Sequence, residues 1–142
     1  MRLWHYQIIR HLPRSQLLAQ WREINSILKK RDRHILINYV YDYPEENLLR
    51  YANIVAGEMA ARGFRIRSWD KYLSLVSRTD PAKVSALDRK NPFPNHHTDR
   101  YFIQCFFNLQ EKFDRGQKDY DAKRYDDLAR VAETMMERGM PL

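Results

Sequence analysis

The sequence predicts an all-α fold, as one compact domain with three to four main helices joined by long irregular connections. Three observations predict it. Apolar residues recur at three- and four-residue steps in several separate stretches, which is the spacing of one helix face. Glycine or helix-starting residues bound these stretches, and no internal repeat or low-complexity tract interrupts the chain. A length of 142 residues with 44% hydrophobic content fits a single core over residues 1–142.

The first predicted helix runs from Arg14 to about Lys30, after a short mixed segment that Pro13 closes. Its apolar stripe consists of Leu17, Trp21, Ile24 and Leu28. At about 100° per residue, Glu23 points well away from the centre of this stripe. We therefore expect the Glu23 carboxyl group to be exposed or in a cleft, and not in the core.

The segment after this helix is polar over residues 29–34 and apolar over residues 35–41. The apolar part predicts a short buried extended run or the entry to a helix. Asp42 and Pro44 are helix-start signals for a second helix, and its stripe consists of Leu48, Ala52, Val55 and Met59. Gly63 directly after Arg62 predicts where this helix ends.

Residues 64–97 show no sustained period, and only a short helical piece around residues 69–77 is expected there. Thr98 or Asp99 can cap a third main helix, which Gly116 ends; its stripe consists of Phe102, Phe106, Leu109 and Phe113. A fourth helical pattern covers about residues 120–138 and stops at Gly139.

The formal net charge is +7, and the basic residues are concentrated in two segments. Residues 1–40 hold eight Lys or Arg against two acidic residues, and residues 62–100 hold nine against four. The rest of the chain is net acidic. Two such segments can form one basic face, which is typical of a protein with a polyanionic partner such as nucleic acid. A solvated basic surface without a partner is the alternative.

Several classes of protein do not fit the sequence. The single cysteine, Cys105, excludes an intrachain disulfide and fits a reducing cytoplasm, and its apolar neighbours predict a core position. No apolar stretch approaches the length of a membrane span, so no membrane partner is expected. The five histidines match no zinc-ligand spacing, and no nucleotide-binding fingerprint is present, so we expect no metal and no cofactor.

The start of the chain carries the clearest chemical signal. A free α-amine has a reference pKa of about 7.7–8.0, so it can act as a nucleophile near neutral pH. Arg2 beside it can hold a phosphate, and Glu23, next to Arg22 on the first helix, can move a proton. Taken alone, an exposed Arg-Glu pair is ordinarily only solvated, and every unblocked chain has an α-amine.

Taken in order, these residues resemble the pyrimidine-dimer DNA glycosylase/AP-lyase family of the phage endonuclease-five type. The matching motifs are Met1-Arg2-Leu3, Trp21-Arg22-Glu23, the run from His34 to Tyr41-Asp42, Arg62-Gly63-Phe64, Pro94-Asn95-His96 and Glu111-Lys112-Phe113. No single motif is specific. The resemblance depends on their order and spacing from residue 1 to about residue 115.

The resemblance implies a DNA repair glycosylase with AP-lyase activity on damaged pyrimidines. It implies a cofactor-free monomer that acts on damaged or abasic double-stranded DNA, and hence a cytoplasmic protein on the nucleoid. Its catalytic residues would be Met1, whose α-amine attacks C1′ to form an imine, and Glu23. The expected DNA-binding residues are Arg2, Arg22, Lys29, Lys30, Arg31, Arg33 and Lys112, and we expect His34 and His96 near the site or in the core.

The chain also departs from the family pattern. Methionine is normally removed only before a small residue, so Met1 is expected to stay where the family exposes a threonine amine. A family arginine falls at Asn108, and residues 117–142 predict an additional helix in place of an aromatic tail. Two alternatives stay open: a non-catalytic DNA- or RNA-binding helical module, and a helical interaction protein whose charge is incidental.

Overall fold

The computed structural model describes residues 1–31 and 33–139, and these residues form six α-helices. They are α1 (Arg14–Lys29), α2 (Glu45–Ala61), α3 (Asp70–Arg78), α4 (Pro81–Ala86), α5 (Asp99–Asp114) and α6 (Ala122–Glu137). Two short 3-10 helices cover Ile9–His11 and Asn38–Asp42. No strand occurs in the described ranges. The predicted all-α class is confirmed, and the four helices of 16 or 17 residues are its main elements.

The main helices form where the sequence predicts them, because their stripes and end signals agree. Thr98 caps α5 by accepting the Tyr101 backbone N–H at 3.3 Å. Gly63 adopts a φ of 75°, a left-handed conformation that glycine adopts without steric cost, directly after α2. The stripe residues of α2 and α5 are buried except Phe113, which is half-buried, and α6 also buries one side. The buried residues are Leu48, Ala52, Val55, Met59, Phe102, Phe106, Leu109, Tyr125, Leu128 and Ala132.

The helices pack in two groups joined by the N-terminal segment. Helix α1 packs against α2 and α3, and α5 packs against α6. The first 3-10 helix contacts both α2 and α6. Its Arg10 carbonyl accepts from the Arg62 guanidinium at 3.2 Å and from the Arg124 guanidinium at 2.6 Å, and Tyr120 donates to the His11 carbonyl at 2.8 Å. The last helix is thereby tied to the start of the chain.

The structure differs from the prediction in two connections. Of the two alternatives expected for residues 35–41, the buried extended run is wrong, because Ile35 and Leu36 lie in an exposed turn; a 3-10 helix over Asn38–Asp42 follows and leads to α2, which agrees with a helix entry. Helix α4 is an addition to the prediction. In the sequence Asp80-Pro81 indicates a break, but here Asp80 is the N-cap of this short helix and Pro81 lies in its first turn. Within the described ranges, none of the helices combines the length and the apolar character needed to cross a bilayer.

Candidate active site

The N-terminal segment has no regular secondary structure over residues 1–5, yet three different helices hold its backbone. Gln20 of α1 accepts the Trp4 N–H at 2.7 Å. Tyr51 of α2 donates to the Trp4 carbonyl at 2.6 Å, and Tyr101 of α5 donates to the Leu3 carbonyl at 2.6 Å. Leu3 and Trp4 are buried between these helices. The position of the first residues is therefore fixed by the fold.

The fully buried Gln20 side chain links this segment to Glu23. Its Nε2 donates to the Arg2 carbonyl at 3.1 Å and to the Glu23 carboxylate at 3.0 Å. The amide can adopt only this orientation, because the Trp4 N–H can only donate and the Arg2 carbonyl can only accept. One side chain thus sets the distance between the chain start and the acidic residue one helical turn further along α1.

Glu23 is half-buried, and its pKa is raised above the ordinary value because burial disfavours the carboxylate. Four groups act in the opposite direction: the charge of the Met1 α-ammonium, the Arg2 backbone N–H, the Gln20 amide and the Arg22 guanidinium. The charge of the Met1 amine thus acts on the carboxyl group, although the two form no ion pair in the part of the chain that the structure describes. Met1 itself is 39% exposed.

The Arg2 side chain is half-buried and contacts two other side chains. Its guanidinium lies 5.4 Å from the centre of the Trp4 ring and 3.9 Å from Cys105 Sγ. Cys105 is buried, as predicted, and burial raises the pKa of its thiol. The Arg2 charge also lowers the pKa values of Tyr39 and Tyr101, although burial raises both overall. Arg2 therefore lies beside Trp4 and Cys105, and its charge acts on the side chains of two tyrosines.

Two buried histidines, His5 and His97, pack near Tyr101. His97 Nδ1 accepts the Tyr6 backbone N–H at 3.1 Å, so in the neutral ring the proton is on Nε2 and is donated to the Tyr39 hydroxyl at 2.7 Å. The His5 ring stacks on His97 at 5.3 Å. Burial lowers the pKa of His5 to about 4, and it lowers that of His97 further. Both rings are consequently neutral at physiological pH.

The two histidines expected near the site or in the core are both exposed. The His96 ring stacks on the Tyr39 ring at 4.5 Å, and its Nδ1 lies 2.9 Å from the Tyr43 hydroxyl. His96 therefore packs on these two tyrosines at the surface. His34 lies in the connector after α1, where its N–H donates to Asn38 at 2.8 Å. The core position is wrong for both, because their ring nitrogens find partners at the surface.

The expected DNA-binding residues fall into three places. Arg2 and Arg22 flank Glu23. The exposed end of α1 and the connector after it present Lys29, Lys30, Arg31 and Arg33. The six residues from Glu23 to Lys29 correspond to about 9 Å along the helix axis. Lys112 is half-buried near the end of α5, seven residues beyond Cys105, or about 10 Å along the axis.

A surface cavity of about 250 Å³ opens beside the connector, not at Glu23. It lies between the end of α1 and the start of α2, and its lining includes Arg31, which stacks on Tyr41 at 4.6 Å, and Arg78, which pairs with Glu45 at 2.7 Å. Glu23 is not part of the lining of this cavity, which adjoins the basic connector.

Sequence reasoning missed the residues that position the site. Gln20 occupies the buried side of α1, where the pattern suggests apolar residues, and its spacing of three from Glu23 was the available signal. Tyr51 was not singled out in the α2 pattern. The Pro94-Asn95-His96 motif indicates His96 and not its buried neighbour His97. These positions depend on which side chains meet in three dimensions, and one sequence does not show that.

No group of three or more His, Cys, Asp or Glu side chains that could hold a metal ion occurs among residues 1–31 and 33–139. A sequence model of the family described as pyrimidine dimer DNA glycosylase matches residues 1–72, which is just over half of the chain. The matched part contains Met1, Arg2, Gln20 and Glu23. No curated protein and no solved structure matches the chain significantly.

Proposed function

The chain belongs to the pyrimidine dimer DNA glycosylase family, and we propose that it acts as a glycosylase and AP lyase whose nucleophile is the Met1 α-amine. The observation that supports this proposal most is the hold on the N-terminal segment. Gln20 bonds both to the Arg2 carbonyl and to the Glu23 carboxylate. If the N-terminal segment had no catalytic use, no buried amide would be needed to fix its distance from an acidic side chain.

The proposed reaction has two stages. The unprotonated Met1 nitrogen forms a bond to C1′ of the damaged nucleotide, and the bond from C1′ to the base breaks, with a proton delivered to the leaving base. The nitrogen loses a proton, O4′ takes up a proton as the sugar ring opens at the C1′–O4′ bond, and a protonated imine results. Loss of a proton from C2′ then expels the 3′ phosphate by β-elimination. Water finally hydrolyses the imine and regenerates the amine.

Glu23 fits the proton transfers of this scheme. Its pKa is raised by burial, and a carboxyl group whose pKa is nearer to the working pH exchanges protons more effectively. The same carboxylate can stabilise the positive charge that develops on the sugar and the imine. Arg22, exposed beside it, can hold a phosphate that flanks the lesion.

The proposed substrate is double-stranded DNA with a damaged pyrimidine or an abasic site, and we propose that a monomer in the cytoplasm acts on it. Reaching C1′ in a duplex requires the strand to be distorted, which costs a few kcal/mol and least at damaged sites. The exposed cations at the end of α1 can offset that cost through phosphate contacts.

Reduction with borohydride tests the amine mechanism, because it converts the imine into a stable covalent link between protein and DNA. We expect the protein with a free Met1 to be trapped on a duplex with an abasic site. The same protein with an uncleaved N-terminal extension should give no trapped product, while a C-terminal extension of equal length serves as the control. Equal trapping of both forms would exclude Met1 as the nucleophile.

Binding of the duplex without any trapped product, by the protein with a free Met1, would point to a different function. It would favour the non-catalytic nucleic-acid-binding module, since the basic surface would then be retained without the chemistry.

A further inference from the structure

The connector after α1 holds two large apolar side chains in solvent. Ile35 is 86% exposed and Leu36 is 42% exposed, whereas the next residue, Ile37, is fully buried. Scattered apolar residues at a surface need no explanation, but two adjacent ones at the tip of a turn are unfavourable in water. Their exposure suggests that a partner covers them when the protein works.

The tip has a fixed shape. The His34 carbonyl accepts the N–H groups of Ile37 and Asn38, both at 2.9 Å, and the His34 N–H donates to Asn38 Oδ1 at 2.8 Å. The Leu36 N–H donates to His34 Nδ1 at 3.2 Å. These bonds form a tight turn whose base is anchored by buried Ile37. Presenting Ile35 to a partner therefore requires little ordering of the backbone.

The surroundings of the tip are strongly basic. Four exposed cations precede it on the end of α1 and the connector, namely Lys29, Lys30, Arg31 and Arg33. Phosphates of a nucleic acid would be attracted to these side chains, while an apolar side chain next to them would make its most favourable contact with the stacked bases. The connector leads on to Tyr39, whose hydroxyl lies 2.7 Å from His97 Nε2, and His97 accepts the Tyr6 N–H of the N-terminal segment at 3.1 Å. The tip is therefore linked through Tyr39 and His97 to the segment that carries the proposed nucleophile.

We propose that Ile35, with Leu36 beside it, inserts between stacked bases of duplex DNA next to the lesion and holds the strand kinked. The neighbouring cations fix the backbone on either side. This inference rests on the proposed function only for the identity of the partner, a damaged duplex. Apolar side chains that enter a base step in this way unstack it and bend the helix.

The experiment uses a duplex with a tetrahydrofuran abasic analogue and 2-aminopurine as the neighbouring base. This analogue has no leaving group at C1′, so the readout does not depend on the amine chemistry. The wild-type protein should increase the 2-aminopurine fluorescence, because the base unstacks. The Ile35→Ser, Leu36→Ser double variant should lose that increase while its binding keeps the wild-type dependence on salt. A full increase with the double variant would overturn the proposal.

A matched control is available on the last helix. Val131 of α6 is 39% exposed and β-branched like Ile35, so Val131→Ser removes a similar side chain elsewhere. It should leave the fluorescence unchanged, and circular dichroism checks that all variants are folded. A loss of fluorescence with Val131→Ser as large as with the double variant would also overturn the proposal, because the effect would not be specific to the tip.

Cleavage assays separate this proposal from the proposed chemistry. On an abasic duplex, the double variant should be slower by about ten- to a hundredfold, as expected when Ile35 is no longer buried between bases and Leu36 contributes little. On an abasic single strand, which needs no kinking, its rate should equal that of wild type. An equal loss on both substrates would contradict insertion. Absence of wild-type cleavage, with the fluorescence change intact, would contradict the chemistry alone.

A membrane surface is the other partner that a basic and apolar tip could meet. Vesicles of phosphatidylglycerol and phosphatidylcholine test it. Wild type and double variant should both fail to sediment with them at physiological salt. Sedimentation that depends on Ile35 and Leu36, together with no fluorescence change on DNA, would assign the tip to lipid and refute insertion.

Discussion

The middle of α1 and the connector after it differ in what they bury and what they expose. Around Gln20, near the middle of α1, polar groups are buried and each has a partner. After Lys29, apolar groups are exposed and cations stand in solvent. In the described ranges, no buried side-chain nitrogen or oxygen lacks a hydrogen bond. The comparison teaches that the first region is built to hold a fixed geometry and the second to meet a partner.

The largest expected effect separates the two regions by function. Glu23→Gln keeps the shape of the side chain but cannot accept and release a proton, so strand cleavage should fall by about 10²- to 10⁴-fold. Binding of the duplex should change little. Cleavage rates under single-turnover conditions and binding by fluorescence anisotropy measure the two properties on one substrate.

The matched variant for Glu23→Gln lies in the connector. Lys29→Gln with Arg33→Gln should weaken binding and make it less dependent on salt, because fewer counterions are released. At saturating protein, cleavage should proceed at nearly the wild-type rate. If the connector variant instead abolished cleavage at saturation, the division between a chemical region and a binding region would be wrong.

Acid should destabilise the protein through two buried histidines. Burial lowers the pKa values of His5 and His11 to about 4, so both rings stay neutral in the folded protein at pH values at which the unfolded chain, with a histidine pKa near 6.5, is already protonated. Between those values the unfolded state binds more protons, and stability falls as the pH falls, by about 1.4 kcal/mol per pH unit for each histidine. Urea unfolding at pH 7, 6 and 5 measures this loss.

The variant His5→Gln tests the origin of that loss. Glutamine cannot be protonated, so the dependence of unfolding free energy on pH should become shallower by about the contribution of one proton. A variant with an unchanged slope would show that acid acts through other groups.

Gln20→Leu removes the link between the chain start and Glu23 without changing the size of the side chain much. We expect a loss of about 1–3 kcal/mol in unfolding free energy, because the Trp4 N–H and the Arg2 carbonyl lose their buried partner. Trapping of the imine should weaken as well. Gln16→Leu, one turn earlier on α1, is the control and should cost less than about 1 kcal/mol, since its bonds lie nearer to solvent. Similar losses in both variants would deny Gln20 a special role.

The smallest effect concerns two helix caps. Thr98 and Asp121 each accept a backbone N–H at the start of a helix, so Thr98→Ala and Asp121→Ala should each cost about 1 kcal/mol. Only α5 also carries Tyr101, which holds the Leu3 carbonyl. Thr98→Ala should therefore slow cleavage slightly more than Asp121→Ala at equal stability, as measured by thermal unfolding and single-turnover rates. Equal rates would show that the start of α5 does not influence the site.

The helices could be predicted from the sequence because their stripes, caps and glycines agree with one another. Leu48, Ala52, Val55 and Met59 form one face of α2, and no other arrangement buries all four. The exposed tip could not be predicted, because apolar β-branched residues normally indicate burial and Ile35 is an exception that a partner would explain. The role of Gln20 could not be predicted either, because a buried amide is recognised only when its partners Trp4, Arg2 and Glu23 are known in three dimensions.

The Arg10 carbonyl accepts hydrogen bonds from Arg62, directly after α2, and from Arg124 of α6. These bonds limit how far the chain can be shortened. Removing the chain after Gly116 would take away the 2.6 Å bond from Arg124 and the Tyr120 hydroxyl that donates to the His11 carbonyl. Residues 10 and 11 would then keep the bond from Arg62. A fragment that ends near Gly116 would retain the whole family-matched portion and the bonds of Gln20, Tyr51 and Tyr101 to residues 2–4, but it should unfold more readily than the full chain.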